Sequence, residues 1–277
     1  MFVGGQGEEL GELLGVGQFG QHPGGLADAL VAGQAMLGQA LGLMMLSSAA
    51  LAQEAPGEWQ QSVFVYGMGA AIDGNASVGP LTVPVELSIS DLFNNLDMGA
   101  MAAYRVENGT WSFTGDVTYM DLGFSRTTDQ GRAGASLGTE QLVIMGTVGR
   151  RLSPNVEVLF SLARFDVSSD LEVRVLNQTR AISSGADWID PLVGVAYSRP
   201  VGEKWSLSLR GDVGGFGIGS DLTMHGWAKL VRQNSDAFSW YVGYRFIGFD
   251  YETGTGLDYQ RYDLQQHGPG IGVAFKF

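Results

Sequence analysis

Cysteine is absent from the 277 residues, which excludes a disulfide framework, thiolate metal sites and a cysteine nucleophile together. Charge is scarce as well: Asp, Glu, Lys and Arg make up 16%, against about a quarter in an ordinary soluble domain. Something other than a charged, helix-rich surface must meet the surroundings. Of three histidines, only His225 and His267 lie beyond residue 53, which leaves little for a catalytic triad or a metal site. The net charge of −13 and the lack of any Lys/Arg cluster argue against nucleic acid as a partner, because phosphates are bound by grouped cations. Although 45% of the chain is hydrophobic, no run approaches the roughly 18–20 apolar residues of a spanning helix. A chain of this composition that crosses a bilayer crosses it with strands.

What is present begins with a short apolar run at 40–52, ALGLMMLSSAALA. Its Ala50-Leu51-Ala52 end has the small-x-small pattern of signal cleavage. Gln53 is the expected mature start, and bacterial outer-membrane targeting follows if the strand reading below holds. The n-region departs from the usual pattern, since no Lys or Arg precedes Arg105. Residues 1–52 are therefore read as an N-terminal extension plus signal segment, removed or unstructured. Residues 53–61 are a lead-in, and 62–277 form one domain.

From Ser62 onward the chain falls into segments of about ten residues with period-two hydrophobicity, the length a tilted strand needs to cross the apolar layer. Trp111, Phe113, Gly115, Val117 and Tyr119 share one face; Ser112, Thr114, Asp116 and Thr118 share the other. Leu96 to Arg105 and Trp205 to Val213 repeat the pattern. The expected strands are 62–73, 96–106, 110–121, 139–150, 156–167, 187–199, 205–217, 221–232, 237–251 and 264–277. They predict an all-β, up-and-down antiparallel transmembrane barrel of ten strands, or eight if two segments do not span.

Connections alternate in length. Short turns at Glu107-Asn108-Gly109, 151–155, 200–204 and 233–236 interleave with longer loops at 122–138, 168–186 and 252–263, while 218–220 is anomalously short. Short turns on one side and long loops on the other are what an outer-membrane barrel requires. The loops at 73–95 and 168–186 also contain alternating pieces, Thr82–Ile89 and Leu171–Val175, which are read as extensions of strands above the membrane. Trp111, Trp205 and Trp240 each follow a short turn, so they fall at one level and predict an interfacial girdle, with Trp59 beside it.

The last residues place Ile271, Val273, Phe275 and Phe277 on one face, ending in Phe. This resembles the terminal signal of bacterial outer-membrane barrels, and the resemblance implies their insertion machinery as a partner through the last strand. Ser90-Asp91-Leu92 with Asn95-Leu96-Asp97, Asp190-Pro191-Leu192-Val193-Gly194, Gly243-Tyr244-Arg245-Phe246 and Gly268-Pro269-Gly270 are similar to an uncharacterised family of small, porin-like outer-membrane proteins. The similarity covers about residues 60 to 277 and implies fold and location, with no activity to carry over.

If the apolar faces point to lipid, the lumen holds a charge network of Asp97, Arg105, Asp116, Asp190, Arg210, Asp212 and Arg245. Arg164 fits either face. Charges in a narrow interior are costly unless paired, so these groups are expected to pair across the barrel and fill it. The resulting expectation is a non-enzymatic barrel of structural, surface-interaction or envelope-integrity type, with outer-membrane lipid as its surroundings. The alternative is a narrow channel with a small solute in the lumen. An outer-membrane lipid-modifying hydrolase built on His267 is the weakest reading, because the His-x-Ser-Asn pattern of lipid A deacylases is missing: Gly268-Pro269-Gly270 follows instead. No catalytic set, cofactor site or metal site stands out. Gly214-Gly215-Phe216-Gly217 resembles part of a phosphate loop, but it sits in a strand pattern with no helix after it. Its glycines are better read as relieving crowding or bending the sheet.

Overall fold

The structure, a computed structural model, describes residues 57–127, 133–175 and 178–277. The signal segment and the start at Gln53 lie outside the described residues. In chain order the elements are β1 (Gln60–Met68), β2 (Ala71–Val78), β3 (Leu81–Leu87), α1 (Ile89–Asn95), β4 (Leu96–Glu107), β5 (Trp111–Thr127), β6 (Ala133–Ser153), β7 (Val156–Val175), β8 (Gln178–Pro200), β9 (Trp205–Gly215), β10 (Leu222–Gln233), β11 (Phe238–Thr253) and β12 (Gln260–Lys276). β1 and β4 to β12 each pair antiparallel with the next, and β1 pairs with β12 to close a ring of ten. The expected ten strands are those ten, and the alternative of eight is excluded.

Tight turns hold one end of the barrel. Between β4 and β5, Gly109 takes a left-handed φ of +83°. The Asn108 side-chain oxygen accepts from the backbone N–H of Thr110 and Trp111 at 3.1 and 2.8 Å. An Asn-Gly pair suits such a reversal, since both tolerate positive φ.

At the other end strands extend above the lipid as expected at Leu171–Val175, and the structure carries them further than the loop bounds allowed. β5 runs on to Thr127 and β6 starts at Ala133; β7 reaches Val175 and β8 begins at Gln178. Most of 122–138 and 168–186 is therefore paired strand, as Leu122↔Thr139 and Ser168↔Gly185 show. Beyond the lipid no apolar environment demands a greasy face, so the periodicity fades while backbone pairing continues. Likewise 73–95 is not a loop. β2 prolongs the line of β1 along the upper half of β12, β3 hairpins beside it, and α1 leads back into β4. A break at Gly69-Ala70 separates β1 from β2, and there the chain crosses β12 closely. A β-carbon at Gly268 would sit 1.8 Å from the Gly69 carbonyl oxygen, so only glycine fits.

The Ser-Asp-Leu and Asn-Leu-Asp residues become α1 and its exit. The Ser88 hydroxyl accepts from the Asp91 N–H at 3.2 Å, while the Asp91 carboxylate accepts from the Ser88 N–H at 3.0 Å, a reciprocal cap. Buried Leu92 packs on Ala70, Ile72, Met120 and Leu122, covering the wall where β5 rises above the end of β4.

The short connection at 218–220 is real. Gly215, Phe216 and Gly217 take φ of +86°, +54° and +71° in succession, turning β9 back at once, so the β9–β10 hairpin is much shorter than β7–β8 beside it. Phe216 is a non-glycine residue in the left-handed region, where an L side chain costs about 1–2 kcal/mol.

Candidate functional site

Inward-facing residues stack in two tiers. The upper tier is aromatic: Phe165 of β7 stacks on Trp188 of β8 at 5.0 Å between ring centroids, and Trp188 stacks on Tyr251 of β11 at 4.2 Å. Phe249 packs against both Phe165 and Trp188. Val143, Met145, Ala163, Val167, Leu192, Ile247 and Tyr262 complete this buried cluster. Because β9 and β10 stop short, β8 and β11 bring their rings together above them.

Asp190 sits within this tier, fully buried, with no cation among its partners in the described residues. Its carboxylate accepts from the Trp188 indole N–H (3.0 Å), the Ser220 N–H (2.7 Å), the Ser220 hydroxyl (2.8 Å) and the Thr223 hydroxyl (2.5 Å). A carboxylate holding that many donors is satisfied without a salt bridge. The expected ion pair at Asp190 is thus replaced by a clamp that ties the β9–β10 tip to β8.

Below lies the ionic tier. Arg245 donates to the Tyr66 hydroxyl (2.9 Å), to the Thr118 hydroxyl (3.2 Å) and to His225 Nε2 (3.3 Å), and stands 3.6 Å from Asp116. The Tyr66 hydroxyl in turn donates to Asp116 at 2.8 Å. Since His225 Nε2 accepts from Arg245, its Nδ1 carries the proton toward Asp212 at 2.9 Å. Arg210 grips the same Asp212 through two N–H donors at 2.7 and 3.0 Å and reaches the hydroxyls of Thr147 and Ser161. The chain of contacts thus passes through β5, β1, β11, β10, β9, β7 and β6, crossing the whole bore. Trp227 lies under Arg245 at 5.0 Å, and Lys229 stacks on Trp227 and Tyr241 at 4.6 and 5.1 Å.

At the short-turn end, Arg105 pairs with Glu157 and Glu107, both at 2.9 Å, and Arg151 also reaches Glu107. The Ser112 hydroxyl donates to Glu157.

Of the seven charges expected in the lumen, Arg105, Asp116, Arg210, Asp212 and Arg245 enter these networks. Asp97 does not. The register slips between Leu96 and Met98, and this bulge leaves Asp97 exposed at the top of β4, with no ion pair among the described residues. Arg164 faces outward, 3.7 Å from Asp166 and 3.6 Å from Asp187. Sequence reasoning missed Tyr66, Glu157, His225 and Lys229. They lie on β1, β7 and β10, strands for which the sequence reading assigned no inward charge.

His267 also faces outward. Its Nδ1 meets the Tyr244 hydroxyl at 2.7 Å and its Nε2 meets Asp73 at 3.0 Å, with no serine in the set.

The exterior decides the environment. Ile144, Phe160, Leu162, Val193, Val195, Val242 and Ile271 stand on the outer wall at 40–63% exposure, at the height where the interior carries buried Arg245, His225 and Asp212. Trp111, Trp205 and Trp240 lie on that outer face at the short-turn end, Trp205 and Trp240 being 5.4 Å apart over the Arg232 between them. Phe275 and Phe277 join that level. Opposite, the band ends in Arg164, Asp166 and Asp187, and in Asp250 clamped by Arg261. Those hydrogen bonds to Asp250 hold the Arg261 guanidinium above its ordinary value. An apolar collar between an aromatic girdle and a charged rim, around a polar interior, is a closed barrel turned outward to hydrocarbon. The protein is a transmembrane β-barrel of outer-membrane type.

No protein-family model matches this barrel, and no curated protein does. Similar solved structures include the outer-membrane protease OmpT of Escherichia coli (8% identity, 83% of this chain and 100% of that one, TM-score 0.48). The attachment invasion locus protein Ail of Yersinia pestis, with the heparin analogue sucrose octasulfate, matches at 9% identity over 79% of this chain and 98% of that one, TM-score 0.38. The translocator domain of the autotransporter NalP from Neisseria meningitidis matches at 10% identity over 90% and 98%, TM-score 0.31. Likeness at this level transfers no activity.

Proposed function

We propose that this barrel is a closed, non-conducting envelope protein that presents the tall outer wall of β5 to β8 as a surface for interaction. The observation that carries this reading is the sealed middle of the bore. The side chains of Arg245, His225 and Asp212 are exposed by 3%, 3% and 0%, and an aromatic layer lies directly above them. The space beside Arg245, between Met68, Gln141 and Gln266, is about 20 Å³, room for roughly one water molecule. A ten-stranded bore sits near the size that side chains alone can fill. Outside, β7 and β8 carry 20 and 23 residues, about twice the span that lipid requires. Ile271, Val273, Phe275 and Phe277 present the terminal apolar face that we assign to the barrel insertion machinery.

Planar-bilayer recording of the purified protein tests the closed bore. The expected trace shows no discrete conductance; steps whose size changes in Arg210→Ala would instead make it the narrow solute channel. Trimming 168–186 to a short turn tests the wall: the barrel should keep its heat-modifiable gel migration while cell-surface attachment falls. Unchanged attachment would remove the interaction role.

A further inference from the structure

One feature of the outer wall is not uniform. Gly115 of β5 and Gly146 of β6 are direct register partners, and a β-carbon on either would meet nothing within 4 Å. Their rows are continued by Tyr104 on one side and Leu162 on the other. The paired glycines therefore form the floor of a groove of about 480 Å³ walled by Tyr104, Phe113, Phe160 and Leu162, within the roughly 300–1,000 Å³ of small-molecule sites. The Tyr104 hydroxyl donates to the Gln61 side chain at 2.6 Å, which holds the ring aside as a wall and keeps it off the floor.

The groove leads to a cation. On the same two strands and the same face, Val148 and Phe113 come next toward the short-turn end, followed by Arg150 and Trp111. Four residues along a strand place Arg150 about 13 Å below Gly146, at the level of the tryptophan girdle. Its guanidinium lies over the Trp111 ring at 5.2 Å and has no carboxylate partner among the described residues, whereas neighbouring Arg151 is paired with Glu107. A stacked guanidinium keeps its edge N–H donors free for a phosphate.

We propose that this groove binds one anionic glycerophospholipid of the periplasmic leaflet, an acyl chain lying over Gly115 and Gly146 and the headgroup phosphate on Arg150. Apolar calibre and free cation occur together, at the depth where a lipid has its chain and its phosphate.

Native mass spectrometry of the full barrel, delipidated and titrated with phosphatidylglycerol or with phosphate-free diacylglycerol, tests it. Wild type is expected to retain a single phosphatidylglycerol. Arg150→Gln should weaken that binding about tenfold, the order expected for one charge-assisted contact, without changing diacylglycerol. Gly146→Leu, which fills the groove, should abolish retention of both. Gly211→Leu fills an outward site on β9, where a β-carbon likewise meets nothing within 4 Å, and should leave retention intact. The two glycine substitutions point into open space, and heat-modifiable migration confirms the fold of every variant; a glycine variant that fails it is replaced by Gly115→Leu. Equal retention by all variants, equal loss in Gly211→Leu, or lipid-free dimers in place of the bound lipid would overturn the proposal.

Discussion

The two tiers of the bore close the same cylinder by opposite physics. Above, Phe165, Trp188, Phe249 and Tyr251 meet by ring packing, and the one buried charge, Asp190, is held by neutral donors. Below, Arg245, His225, Asp212 and Arg210 meet by matched charge and directed hydrogen bonds. The contrast teaches that the ionic tier is brittle to the loss of one member, whereas the aromatic tier fails by degrees through cavities.

Arg245→Ala is the hardest test of that contrast. It leaves the partly buried Asp116 without its cation and the buried His225 without its donor, and the stability lost should reach about 3 kcal/mol, read as a lowered urea midpoint in lipid vesicles. The paired change Arg245→Met with Asp116→Leu should recover most of that loss; if it does not, the pair contributes more than mutual neutralisation. Trp188→Ala removes the central ring of the upper tier and should cost about 3 kcal/mol. A smaller phenylalanine at the same position should restore part of it, a graded response the ionic tier should not show.

Asp190→Ala strips the acceptor from Trp188, Ser220 and Thr223, and about 1–3 kcal/mol should follow. The loss should localise, with faster hydrogen exchange at the β9–β10 tip than elsewhere. Uniform acceleration would mean that Asp190 supports the whole barrel. The smallest effect is expected from Phe216→Gly. Relieving a left-handed φ should stabilise the tip by about 1 kcal/mol, read as slower hydrogen exchange there.

How legible all this was depends on where a residue stands relative to the lipid. Along Trp111 to Tyr119 the alternation named the outward face correctly, because hydrocarbon on one side and a polar bore on the other impose period two. Above that level Ser168 to Val175 pairs as regularly as any strand, yet only the short alternation of Leu171 to Val175 marked it, because without hydrocarbon outside the ladder nothing imposes period two over its full length. Arg164 stood at the border and fitted either face until its partners Asp166 and Asp187 were seen. Asp97 was misplaced for a different reason: one extra residue at a bulge undoes any parity argument beyond it. His225 and Tyr66 were overlooked because a histidine or tyrosine on an inward row looks like filler until a guanidinium is found beside it. The groove over Gly115 and Gly146 was visible only as two glycines in good strands, since the register that pairs them belongs to the fold.

The ring of ten strands is joined by ten seams, and they are not equivalent. Nine join strands that follow one another around the barrel. The tenth, between β1 and β12, unites segments about two hundred residues apart, with Ser62 opposite Lys276 and Met68 opposite Gly270. Cutting the chain at any outer turn leaves every ladder in place. Parting that one seam bares the edge of β1 and the Gly270–Lys276 half of β12, which β2 does not cover, and offers unpaired amides of both to hydrocarbon.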